Sequence, residues 1–218
     1  KKILGYDVHG FTIINQDDRY NEKENVRLVV KKSKLQHTEI PINTNNFLSK
    51  LRKLILYHDA PVATISSYAN WLLQQNISDE GYKISLSGAG ADELFTGYFD
   101  HHLYYFSDIQ NDKPLLEKSI SNWDKHILPT IRNPFLKNHK TILNNCLSRD
   151  HIFLNSEEFS KYLHKDWFEN FKEKKYCQDL LRNRMANEIF HEIIPVILHE
   201  DDLNSMYFGI ENRSPFLD

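Results

Sequence analysis

The chain has 218 residues, enough apolar content for a real core, and a formal charge of −3 from 27 basic and 30 acidic residues that alternate along it. That balance excludes a nucleic-acid footprint, and no apolar run approaches the length of a membrane span or the layout of a signal peptide. Its two cysteines, Cys146 and Cys177, lack CxxC spacing and read as reduced, buried thiols of a cytoplasmic protein.

In chain order, Phe11 to Ile14 is a short apolar strand, and the polar cluster Asn15 to Asn25 is a loop. Glu24 to Lys34 carries Val26, Val29 and Val30 on one helical face, and His37 to Ile42 returns to a β-like run. Asn45 or Asn46 is placed to cap a helix whose Phe47, Leu48, Leu51, Leu54 and Ile55 recur at helical spacing. Asp59-Ala60-Pro61-Val62 breaks that helix, and another is expected over Ser66 to Gln75. Alternating strands and helices predict a parallel, doubly wound α/β sheet.

Tyr82 to Leu86 reads as a buried parallel strand, followed by Ser87-Gly88-Ala89-Gly90 and then by Asp92 and Glu93 in a first helical turn. A helical pattern continues with Leu94, Tyr98, His102 and Tyr105 on one face. Strand, glycine-rich turn and helix can present backbone N–H groups to an anion, and the carboxylates can bind a Mg²⁺ that a polyphosphate brings. The turn fits neither the P-loop nor GxGxxG.

Beyond Phe106 helical patterns dominate, interrupted by Pro114, Pro129 and Pro134. The division expected is residues 1–106 as a nucleotide-binding core and 107–218 as a helical lobe with a closing segment. Both edges look cut, as in a piece of a longer polypeptide. Asp100-His101-His102 reads as a polar helix face, because adjacent helical residues do not converge on one ion. With Tyr98 and Tyr104 it could instead line an acceptor pocket. His191-Glu192 fails HExxH at Pro195, Arg182 and Arg184 read as a solvated face, and His199 to Asp202 as a solvated acidic loop.

Leu86 to Tyr98 resembles the SGxGxDELFxGY signature of the asparagine synthetase family's ATP-dependent amidation domain. Asp202 to Asp218 is similar to that family's closing segment, which ends ExRxPFLD. Asp59-Ala60-Pro61 and Phe11-Thr12-Ile13 are weaker matches in the right order. The resemblance implies a parallel sheet of the adenine-nucleotide α-hydrolase, Rossmann-like type with a mainly helical C-terminal lobe. It implies ATP against Ser87, Gly88 and Gly90, with Ile13 in the adenine pocket. Asp92 would hold Mg²⁺ and pyrophosphate and, with Glu93, form the catalytic pair. Tyr98, Glu211 and Arg213 would lie near the substrate, the last two as an ion pair.

The family activates a small-molecule carboxylate, aspartate by default, as its adenylate. Ammonia from a glutaminase domain, fused or separate, then attacks. Three departures stand out. The SGGxDS pyrophosphate loop expected just upstream of Phe11 does not occur in Lys1 to Gly10, so this segment alone is expected to be inactive. No glutaminase domain is present, which leaves Cys146 and Cys177 without a nucleophile's role. Ala89 and Leu203 replace a carboxylate and a cation together, which suggests another carboxylate such as a uronic acid of a surface polysaccharide. A non-catalytic nucleotide-binding or scaffold protein is the alternative of a different class.

Overall fold

A computed structural model describes residues 5–14, 23–42, 44–62, 64–152, 156–166 and 171–218. Among them lie four strands and ten α-helices: β1 (His9–Ile14), α1 (Lys23–Ser33), β2 (Gln36–Pro41), α2 (Phe47–His58), α3 (Ser66–Asp79), β3 (Ile84–Leu86), α4 (Ala91–Phe95), α5 (Phe99–Asp108), α6 (Lys113–His126), α7 (Lys140–Asn144), α8 (Ser156–Ser160), α9 (Leu180–Asn187), α10 (Ile194–Tyr207) and β4 (Glu211–Arg213). The loop expected over Asn15 to Asn25 falls mostly outside the described residues; from Lys23 onward that stretch is already α1.

The chain divides into two compact units, one of Lys1–Ala89 with Val196–Asp218 and the other Gly90–Pro195. This differs from the 106/107 division because the closing segment returns to pair with β3, while α4 and α5 join the helices that follow them. The glycine-rich turn therefore straddles the boundary between Ala89 and Gly90.

In the first unit β1 pairs in parallel with β2, in register from His9 opposite Gln36 to Ile14 opposite Pro41, and β3 pairs in parallel with β4. The expected parallel pairing is present in both cases, but in two separate sheets rather than one doubly wound sheet among the described residues. The sheets are only two-stranded among the described residues. Leu54, Tyr68, Trp71 and Leu72 form the core, with Ile13, Phe47, Leu51 and Phe208 packed against it. The apolar stripe of α2 is narrower than its sequence suggests: Leu54 is fully buried, but Leu48 is 77 % exposed. Asn46 stands at its N-cap without a side-chain capping bond. No residue of α1 is buried. Helix α3 runs to Asp79 rather than Gln75 and buries Tyr68, Trp71, Leu72 and Ile77.

The returning segment is tied down by specific bonds. Asn204 donates to the Ser67 carbonyl at 3.1 Å and accepts from His58 at 3.0 Å. Ser78 donates to the Phe208 carbonyl at 3.0 Å, and Trp71 packs against Tyr207 and Phe208 with ring centroids 4.1 and 4.9 Å away. The residues from His199 to Asp202 lie inside α10, not in a loop.

The second unit is helical among its described residues. Its core is Leu103, Tyr104, Phe106, Trp123, Ile131, Leu136 and Ile142. Asp112 caps α6 by accepting from the Leu115 N–H at 3.1 Å, and Pro114 sits in the first turn, where a missing N–H costs nothing. Pro129 and Pro134 likewise fall inside short 3₁₀ turns. A π turn over Glu188–Glu192 follows α9, with the Ile193 N–H reaching the Glu188 carbonyl at 3.0 Å.

Candidate functional site

The first unit holds a cavity of about 660 Å³. His9, Gly10 and Phe11 of β1 form one wall, Leu73, Gln74 and Ile77 of α3 another, and Tyr82 with Ile84 to Gly88 a third. Asp7 and Val8, just ahead of β1, and Asn212 and Arg213 of β4 complete the lining. In a parallel ladder a residue's N–H and C=O point the same way and alternate from residue to residue. The Lys83 carbonyl and the Ser87 N–H both bond to β4, each at 2.8 Å. Ile84 and Leu86 therefore turn their backbone groups away from β4. Their side chains are 51 % and 68 % exposed, so this strand is parallel as expected but not buried. Three aromatic rings gather here: His9 lies 4.2 Å from Phe11, and Tyr82 meets Phe11 edge-on at 5.7 Å between centroids.

Of the residues the sequence singled out, Ser87, Gly88 and Arg213 line this cavity together. The Ser87 hydroxyl lies 3.1 Å from that of Ser214, so the closing segment meets the glycine-rich turn directly. A Cβ built on Gly88 meets nothing within 4 Å. Ile13 is not in the lining; it packs against the core of Leu54 and Trp71. Glu211 is also outside the lining and forms the expected ion pair, accepting from Arg213 Nε at 2.8 Å on an exposed strand.

The rest of the signature belongs to the second unit and is a compact knot. Gly90 takes a left-handed φ of 88° before α4, a conformation that favours glycine. Helix α4 stops at Phe95, where Thr96 turns left-handed with φ 65°, and α5 starts afresh after Tyr98. The continuous helix expected through Leu94, Tyr98, His102 and Tyr105 is thus two helices. Glu93 is buried at 2 % exposure and accepts a 2.5 Å hydrogen bond from the Tyr98 hydroxyl. Burial and the neighbouring Glu93 carboxylate push the Tyr98 phenol far up, so it stays a donor. Asp92 remains exposed, and its side chain lies over Gly97: a Cβ there would sit 1.8 Å from Asp92 Oδ1. Asp92 and Glu93, adjacent in sequence, thus have opposite surroundings.

Sequence reasoning missed a buried charge cluster in the second unit. Arg184, expected on a solvated face, is 3 % exposed. Its Nη1 donates to Glu192 at 2.6 Å and Glu173 at 3.2 Å, and its Nε lies 3.0 Å from Glu188 and 3.5 Å from Asp100. Arg182 is exposed as expected. His101 lies 2.9 Å from Glu188, and His151 3.3 Å from Asp100. Burial drives the Glu188 carboxyl above its usual range, outweighing the pull of His101 and Arg184. For Asp100 burial pushes up as well, but the hydrogen bond from His151 and the charges of His101 and Arg184 win and hold it low.

Asp100, His101 and Glu188 bring potential ligand atoms within 4.8 Å of one another. Arg184 already occupies the cation's place among these carboxylates, so the arrangement is an ion-pair network rather than a metal centre. The single readable signal was spacing: Arg184, Glu188 and Glu192 recur every four residues. The thiols differ from expectation too. Both are free, but Cys146 is exposed and Cys177 only half-buried.

The molecule is therefore an α/β protein with small parallel sheets, in which Ser87 and Gly88 meet the closing segment at the wall of a cavity. The chain belongs to the asparagine synthase family, whose sequence pattern matches residues 1–218. No curated protein and no solved structure matches it. Among the described residues no helix is long and apolar enough to cross a membrane.

Proposed function

We propose that this chain is the synthetase part of an ATP-dependent, AMP-forming amidation ligase of the asparagine synthase family. The observation that carries the reading is Ser87 and Gly88 lining one cavity with Arg213 of the closing segment. A hydroxyl, an unobstructed backbone and a guanidinium suit a nucleotide's phosphates. In the reaction a substrate carboxylate oxygen bonds to the α-phosphorus of ATP, and pyrophosphate leaves. Ammonia then attacks the acyl carbon, AMP departs, and a proton is lost to solvent. Ammonia would come from a glutaminase domain, fused or separate, and the protein would work in the cytoplasm.

Of the two signature carboxylates, Asp92 is the exposed one and the better fit for Mg²⁺. Magnesium commonly takes one or two carboxylates and completes its shell with water and phosphate oxygens. Asp92 is exposed in the first turn of α4; Glu93 is committed to Tyr98 and serves to position the turn. When bound, the ion neutralises charge on the departing pyrophosphate. Asp92→Asn should keep the fold and remove most Mg²⁺-dependent adenylation.

Aspartate is the default substrate. A second reading, amidation of another carboxylate such as a uronic acid, draws on Ala89 and Leu203, a simultaneous loss of one acid and one base beside the two signatures. The SGGxDS loop that the chemistry needs is not in residues 1–218, and the proposal requires that the same gene or a partner chain supply it. ATP–pyrophosphate exchange by the full gene product tests both readings. Exchange with aspartate supports asparagine formation, and exchange only with acidic sugars supports the second reading. No exchange with any carboxylate overturns the ligase and favours a non-catalytic nucleotide-binding or scaffold protein.

A further inference from the structure

Two strand edges that have no partner strand border the cavity. The Ile42 N–H reaches the Ile14 carbonyl at 3.2 Å, so Ile14, Thr12 and Gly10 turn their backbone groups to β2, while His9 and Phe11 turn theirs away from it. Ile84 and Leu86 turn away from β4 by the same rule, and these four residues all line the cavity. Among the described residues their outward N–H and carbonyl groups meet no other backbone. Side chains bridge the two strand pairs instead: His9 Nδ1 lies 3.0 Å from the Tyr82 hydroxyl, and the Phe11 and Tyr82 rings meet edge-on.

An unpaired edge is a template on which another strand can form. Strands rise about 3.3 Å per residue, lie about 4.8 Å apart and pack in layers about 10 Å apart, so each residue of a sheet fills roughly 160 Å³. The 660 Å³ of the cavity thus holds about four such residues. That matches the short strands beside it, since β3 and β4 have three residues each. The lining suits an apolar occupant. Leu73 and Ile77 of α3 contribute to it, and the Ile84 and Leu86 side chains stand at least half exposed, with surface for a neighbouring strand to cover. The charged lining residues sit toward the margins, Asp7 ahead of β1 and Arg213 opposite Leu86 at the end of β3.

We infer that this cavity is the slot for one more β-strand, an extended, uncharged segment of about four residues that lies outside residues 1–218. Hydrogen bonds to Phe11 on one side and to Ile84 and Leu86 on the other hold it, as in strand addition to an open sheet edge, and its alternate side chains give specificity. The two small sheets then become one sheet of five strands. Ser87, Gly88 and Arg213 stay open beyond the end of β3, so the nucleotide reading proposed above neither requires the slot nor conflicts with it.

The test adds a synthetic peptide, Lys-Val-Ile-Val-Val-Lys, to the 218-residue protein and follows amide hydrogen exchange residue by residue. In the free protein Ser85 and Ser87, whose N–H groups face β4, should exchange slowly, and Ile84 and Leu86 quickly. Saturating peptide should slow exchange at Phe11, Ile84 and Leu86 by about tenfold or more and leave α6 unchanged. The same peptide N-methylated at alternate residues lacks the donors of one edge and should bind about tenfold more weakly. Ile84→Pro removes an N–H that neither ladder uses, which an edge strand tolerates. It should keep the urea-unfolding midpoint near that of the wild type yet weaken the peptide to the same extent. Slow exchange at Ile84 and Leu86 in the free protein would show the edge already covered and overturn the inference. So would no binding at millimolar peptide, protection only elsewhere, or equal binding of the N-methylated form. Should Ile84→Pro not fold, the N-methylated peptide decides alone, because it leaves the protein untouched. None of these outcomes involves a nucleotide, so the ligase reading stands or falls separately, on pyrophosphate exchange.

Discussion

The two units bury polar groups of different kinds. In the second, Arg184, Asp100, His101, Glu188 and Glu192 neutralise one another. In the first, neutral amides take that place: Asp201 accepts from Asn70, and Asn70 accepts from Gln74. The charges of the second unit are gathered from separate stretches of chain, whereas the amide series of the first ties α10 to α3. The difference shows why a cluster rich in titratable groups need not be where the chemistry lies.

The sharpest way to break this contrast is to open the closed network. Arg184→Met should destabilise the second unit by about 3–5 kcal/mol, since it strands buried carboxylates without their cation; the midpoint of urea unfolding reads this. Tyr98→Phe removes the hydroxyl that donates to Glu93 Oε1 and should cost about 1–3 kcal/mol. The same unfolding experiment measures it, and near-neutrality would mean that Glu93 finds water.

In the first unit the sign reverses. The Asp201 carboxyl is raised from 3.8 to about 6 in the fold, so the folded state holds a proton that the unfolded state releases between those values. Its contribution is therefore most favourable at low pH and is lost as pH rises through about 6. Asp201→Asn should stabilise the protein by about 1–2 kcal/mol at pH 7, after allowance for the group's partial exposure, and by almost nothing at pH 4. A gain that did not depend on pH would show that Asp201 is not the group responsible. Smallest of all, Glu211→Gln breaks an ion pair that stands in solvent and should leave the unfolding midpoint unchanged.

How much of this was legible varied with the range of the interactions. The strands at Phe11 to Ile14 and His37 to Ile42, the helices α1 to α3 and the Glu211–Arg213 pair follow from local periodicity and spacing, and the structure has them. The break after Phe95 was not legible, because Leu94, Tyr98, His102 and Tyr105 keep helical spacing across a left-handed Thr96. Arg184 was misread for a related reason: its partners Asp100, Glu173 and Glu192 come from three separate stretches of chain, and only the fold gathers them. The assignment of 196–218 to the first unit depended on β4 finding β3 across more than a hundred residues, which no periodicity encodes. Of the proposed site, the motif residues Ser87, Gly88 and Asp92 were readable, whereas the walls that β1 and α3 lend the cavity depend on the fold.

The signature's glycines carry a consequence for any survey of substitutions along it. Position 97 is closed to a side chain by the protein itself, because even a methyl group would collide with the carboxylate of Asp92. Position 88 is open, and a methyl group there meets nothing the chain supplies. In a saturation scan scored for folding, Gly97→Ala should drop out while Gly88→Ala persists. If the scan is scored for turnover and Gly88→Ala also drops out, the missing neighbour at position 88 is the bound molecule, and that one column would mark where it touches the backbone.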